Sequence, residues 1–169
     1  MKANYFKALC ALSLACMFHT PVLHAQSKTE IEVTLPSFTG PMVYRPYVAI
    51  WIENEQEEVV KTLEVWRKEP DWLKDMRRWW RKAGRYDQGE LDAVTGATKR
   101  PGQYRLTWDG TDQKGLKVAP GYYWVNVEAA REHGNRSWVR ERVDTTSAQR
   151  YLIKPTEELG EILIKTGGK

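Results

Sequence analysis

Residues 91–104 read Leu-Asp-Ala-Val-Thr-Gly-Ala-Thr-Lys-Arg-Pro-Gly-Gln-Tyr, a run that holds an acid, two hydroxyls around a Gly-Ala pair, and two consecutive cations. Nothing from Asp92 to Arg100 is large enough to build a core, so the stretch serves either chemistry or turn geometry. Thr95 and Thr98 supply oxygen nucleophiles, while Gly96 and Ala97 leave the backbone open to close approach. Lys99 and Arg100 follow at once, where they can meet phosphate charge. Read as structure alone, the same residues are a polar loop entering a strand at Tyr104, with Pro101-Gly102 as its turn.

Other chemistries are poorly supplied. The first 25 residues combine a Lys-bearing start, an apolar run from Ala8 to Phe18 and a small residue at Ala25, the pattern of a cleaved secretory signal. Leu12–Cys16 hints at lipid attachment, although Ser13 stands where such signals usually carry Leu. That run is too short to remain as a bilayer-spanning helix. Cys10 and Cys16 both lie inside it, so a chain cut after Ala25 has no thiol for a disulfide, a metal or nucleophilic catalysis. His19 and His24 leave as well, and His133 alone cannot furnish a multi-His metal site; a Ser-His-Asp triad is equally ill supplied. Removal of Lys2 and Lys7 takes the 26 basic residues to 24 against 22 acidic, lowering the formal charge from +4 to +2. The expectation is an exported protein with a signal at 1–25 and one domain at 26–169.

The elements that must position the 92–100 stretch show mostly a period of two. Ile31–Pro36 and Val59–Trp66 alternate, Tyr47–Asn54 is continuously apolar and β-branched, and acidic Glu53–Glu58 reads as a hairpin tip. Strands follow at 104–110, 122–131, 137–144 and 150–155, and 160–167 can close the series. Short strands punctuated by Gly and Pro turns predict a mainly all-β, antiparallel sandwich of about seven to nine strands. One segment departs from that period. Over 70–84 Pro70 opens a helix, Asp71 and Asp75 occupy its early turns and Gly84 closes it. Helical spacing puts Trp72, Met76, Trp79 and Ala83 on one face, Leu73 and Trp80 beside it, and Arg77, Arg78, Arg81 and Lys82 outward.

Two stretches resemble known families. Leu106–Val127, with Trp108-Asp109-Gly110, Lys114-Gly115 and Pro120-Gly121-Tyr122, resembles the hairpin of immunoglobulin-like modules related to the flagellar hook-capping protein. The likeness implies that Trp108 fills the core and that the Asp and Gly residues turn the chain. Turn geometry also accounts for Asp109 and Asp112 without calcium, since the bidentate Glu of an EF-type loop is missing. Over the mature chain, this hairpin together with the signal, the Trp/Arg-rich helix, Asp92–Tyr104 and Glu128–Gly134 resembles the exported family called domain of unknown function 2271, a predicted periplasmic protein.

Asp92–Thr98 resembles the D-x-x-[S/T]-G-A-[S/T] acceptor sequence of exported FMN-binding domains, on which a transferase moves FMN from FAD to the last hydroxyl. Carried over, the resemblance makes Thr98 the covalent acceptor, Thr95 the first hydroxyl position, Gly96 and Ala97 the small pair, and Asp92 the leading acid. Three fixed positions and two Ser/Thr positions coincide by chance about once in a thousand chains of this length, which favours the motif over a fortuitous loop. Lys99 and Arg100 then adjoin the phosphodiester or the flavin, and Trp79 or Trp80 is a candidate to stack on the ring. Some members of that family carry a further Thr after the motif, where Lys99 stands here.

Two function classes remain open. One is a periplasmic electron-transfer flavoprotein carrying FMN on Thr98, loaded by an exported FMN transferase and exchanging electrons with a membrane flavin or haem partner. The other is a cofactor-free immunoglobulin-like binding or assembly module. A hydrolase is distant, because no nucleophile, base and orienter appear as a set. The Arg cluster is interrupted by Asp71, Asp75 and Asp87 and reads as a solvated face, not a nucleic-acid site. The turn around His133 reads as a hairpin tip.

Overall fold

The computed structural model describes residues 28–40, 42–86 and 92–168. The expected signal at 1–25 lies outside the described residues. Among those described, nine strands form two sheets: β1 (Lys28–Leu35), β2 (Tyr47–Glu53), β3 (Val59–Arg67), β4 (Thr95–Ala97), β5 (Gly102–Trp108), β6 (Tyr122–Ala130), β7 (Arg136–Asp144), β8 (Arg150–Ile153) and β9 (Ile162–Gly168). One sheet has the order β5-β1-β9-β8 and the other β4-β3-β2-β6-β7. The sandwich expected from the period-two runs is present, with one departure: β4 pairs parallel to β3, at Val65 with Thr95 and Arg67 with Ala97.

Alternation along β1 sends Ile31, Val33 and Leu35 inward, where they meet Val48, Ile50, Ile52, Val125 and Val127 of the facing sheet. Trp108 is 1% exposed at one end of this core. Its ring sits edge-on to Tyr123 with centroids 4.9 Å apart, and its indole N–H donates to the Thr111 carbonyl at 2.8 Å. The following turns use Gly110 (φ 68°) and Gly115 (φ 78°) in the left-handed region, and Asp112 accepts from the Lys114 and Leu116 amides. The strands on either side do not form a hairpin with each other. A single bridge, Thr111 to Lys117, closes the turn, and β6 returns in the opposite sheet to β5.

Every residue of β2 is buried, on both faces, because the outer face of its sheet is covered too. Tyr47, Ala49, Trp51, Val65 and Ala130 pack there against Leu73, Met76, Trp79 and Ala83 of the inserted segment. The continuous apolar run in β2 is the signature of a strand covered on both sides.

The insertion is helical as expected but is not one α-helix. A 3-10 helix (Pro70–Asp75) leads to α1 (Arg77–Trp79) and then to a π turn (Trp80–Gly84), with Met76 at φ −79° and ψ 70° breaking the first join. This changes which face packs. A 3-10 turn repeats every three residues, so Leu73 eclipses Met76 and is buried, while Trp72 rotates out to 38% exposure. The helical face predicted around Trp72 is therefore corrected to one around Leu73.

Two buried glutamates anchor the insertion. Glu128 on β6 accepts the Trp79 amide at 2.8 Å and the Arg78 amide at 3.1 Å, serving as an N-terminal cap supplied by another element. The Arg136 guanidinium completes its shell at 2.6 Å. Glu53 accepts from the Trp51 indole at 2.9 Å and lies 3.1 Å from the Lys82 ammonium. Among the described residues, no helix is long and apolar enough to cross a membrane.

Candidate functional site

Chain leaving the insertion reaches a short 3-10 turn at Asp92–Val94 and then β4. The Asp92 side chain lies outside the described residues. Among the described residues β4 is the outermost strand of its sheet, paired with β3 on one side. Gly96 and Ala97 are exposed, Thr95 is half-buried, and a Cβ placed on Gly96 would meet no atom within 4 Å. The loop expected from the sequence is thus a strand edge, presented outward by its pairing with β3.

Thr98 is the first residue past β4. It is half-buried and opens on a cavity of about 280 Å³ whose other walls include Tyr44, Arg45, Tyr47, Lys68 and Glu132. The parallel register explains part of this company: Arg67 pairs with Ala97, so Lys68 falls beside Thr98. Arg45 and Tyr44 arrive from the segment leading into β2, and Glu132 from the β6–β7 turn. Arg45 and Lys68 are exposed and have no carboxylate partner among the described residues. Burial pushes the Tyr47 phenol upward, reinforced by the Glu132 carboxylate. The Tyr44 ring is half-buried against His133, with centroids 5.5 Å apart and planes inclined at 57°.

The cations named from the sequence lie elsewhere. Lys99 points to the far side of the strand, its ammonium 5.5 Å from the Trp66 ring centroid and 5.6 Å from that of Tyr104. Arg100 is exposed, and its carbonyl accepts the Tyr104 hydroxyl at 2.7 Å. Neither lines the cavity at Thr98. The positive charge there comes from Arg45 and Lys68, which no local motif marks because a parallel pairing and a distant loop bring them in.

Trp79 is fully buried and has no face free for a ligand. Trp80 is half-buried beside it and borders a different, basic cavity with Lys74, Arg77, Arg81 and Arg136. The two cavities share no lining residue, so the structure does not bring Trp80 together with Thr98. His133 is 75% exposed in its side chain and sits at φ 53° on the tip of the β6–β7 turn, as read from the sequence. That turn is firmly built: Arg131 reaches Glu158 through two nitrogens at 2.9 and 3.1 Å, and Glu158 accepts the Asn135 amide at 2.7 Å.

Asp109 accepts from Thr111, and Asp112 from the Lys114 and Leu116 amides, each through one carboxylate oxygen. Among the described residues no cluster of three or more His, Cys, Asp or Glu is placed to hold a metal ion.

No curated protein matches the chain. Among solved structures it is similar to truncated FlgD from the human pathogen Helicobacter pylori, at 18% identity and a TM-score of 0.37, with 86% of each chain covered. The sequence profile of domain of unknown function 2271, described as a predicted periplasmic protein, matches residues 28–161, and the chain belongs to that family.

Proposed function

We propose that the protein is a periplasmic electron carrier that bears FMN covalently on Thr98. The observation that carries this reading is the placement of the acceptor sequence on a sheet edge. A protein that serves as substrate must lend its backbone to another enzyme's cleft, and β4 lies at the edge of its sheet among the described residues, with Gly96 and Ala97 exposed. In the transfer, the Thr98 hydroxyl oxygen bonds to the FMN phosphorus of FAD and the diphosphate P–O bond breaks. AMP leaves, and the hydroxyl proton passes to the exported transferase; magnesium held by that enzyme offsets the charge of the diphosphate. The residues around Thr98 suit the product: Arg45 and Lys68 can face a phosphodiester, and the small pair keeps the approach clear. Once attached, the flavin supplies reversible electron transfer, and a membrane flavin or haem partner is the natural class of donor.

Intact-mass measurement tests the reading. The mature chain incubated with an exported FMN transferase, FAD and magnesium gains one FMN moiety, and Thr98→Ala gains none. An unmodified wild-type chain, or a gain that survives Thr98→Ala, favours the cofactor-free binding module instead.

A further inference from the structure

We infer that the cavity beside Thr98 is the seat of the flavin, with Arg45 and Lys68 receiving its phosphate and Tyr44 facing its ring. This rests on the proposed attachment at Thr98 and replaces the Trp80 platform expected from helical spacing. Three observations converge on it.

The first is position. Thr98 is itself part of the wall of this cavity and not of the basic one beside Trp80. The second is charge. Among the side chains that line the cavity, Arg45 and Lys68 stand against Glu132, with Glu69 and Asp75 near enough to act on Tyr47, so the two cations are the groups in the wall that can meet a phosphodiester's negative charge. Cations without a carboxylate partner among the described residues are available to an incoming phosphate at no cost in broken ion pairs. The third is shape. Tyr44 is half-buried with its ring braced by His133, so it offers an aromatic face already held in place. Glu132 and His133 are neighbours on the β6–β7 turn, whose Arg131–Glu158 pairing fixes that wall. The site is built from four separate segments that the fold holds independently of any ligand.

Binding of free flavins to full-length mature Thr98→Ala protein tests the seat without covalent attachment, read by quenching of flavin fluorescence. FMN binds more tightly than riboflavin, which lacks the phosphate. Arg45→Gln and Lys68→Gln each weaken FMN by about tenfold, the scale of one charge-assisted contact, and leave riboflavin unchanged. Lys68→Arg retains FMN binding. Tyr44→Ala weakens both flavins by about fivefold and Tyr44→Trp restores them, which separates loss of the ring from loss of the fold. Trp80→Ala binds as the parent does.

Equal affinity for FMN and riboflavin, or loss of binding in Trp80→Ala with Tyr44→Ala unaffected, overturns the seat. The two readings fail separately. Mass gain at Thr98 without these affinity changes removes the seat and keeps the attachment. The affinity changes without mass gain remove the attachment and keep the seat.

Discussion

At the scale of single residues, Thr98 and Glu128 differ first in burial. Thr98 borders an open cavity and belongs to neither hydrophobic cluster among the described residues, so Thr98→Ala should leave stability within about 0.5 kcal/mol of the parent. A larger shift in the urea midpoint would show that its hydroxyl is structural. Glu128 is the opposite case. It is fully buried and holds two amides of the insertion and the Arg136 guanidinium. Glu128→Ala leaves those donors unpaired and should cost about 3 kcal/mol in urea unfolding. Thr98 and Asp92 were legible as a candidate site because their pattern is local. Arg45 and Lys68 were not, since neither belongs to a recognisable motif and only the β3–β4 register and the approach to β2 bring them to Thr98. Glu128 read as an ordinary strand acid, because a cap provided from another strand has no sequence spacing.

At the scale of elements, the insertion is locked to the sheet by packing and by charge at the β2–β3 tip. Gly84 lies where Trp79 and Trp80 converge: a Cβ there would fall 2.7 Å from carbons of both rings. Gly84→Ala should therefore cost about 1–3 kcal/mol through overpacking, measured by thermal or urea unfolding. Glu57 bridges the Arg140 guanidinium at 2.6 Å and that of Arg78 at 3.1 Å. The Arg140 hydrogen bond holds the Glu57 carboxyl below its ordinary value of 4.5, and the Thr111 hydroxyl does the same for Asp109 against 3.8.

Both folded-state values are depressed, so their stabilisation is complete above the ordinary values and is lost as pH falls through the lowered ones. The melting temperature should drop below about pH 4.5, and Glu57→Gln should flatten that acid limb. An identical acid limb in the variant would remove Glu57 from the account. Periodicity revealed the existence of the insertion and the hairpin tip, but not the helical phase. Three kinds of helical turn in succession shift the angular register, which is why Leu73 and not Trp72 meets the sheet.

At the scale of the whole molecule, a two-sheet core presents β4 at one sheet edge among the described residues. Alternating strands made the sandwich legible, while the cover over both faces of β2 emerged only from the packing of the insertion against it. The parallel pairing of β4 stayed hidden, since three small and polar residues carry no period. Trp108 ties the inter-sheet turn to that core, and Trp108→Ala should cost about 3–5 kcal/mol of unfolding free energy. A near-neutral urea midpoint would contradict the burial seen here. Strand edges are normally guarded in periplasmic and other proteins alike, and the edge position of β4 gains its meaning from what the chain offers there. The decisive measurement is peptide mapping of the wild-type chain after reaction with the exported transferase, FAD and magnesium. The account predicts one FMN phosphodiester, located by fragmentation on Thr98, with Thr95 unmodified; a chain that stays unmodified, or that carries the flavin on another residue, contradicts it.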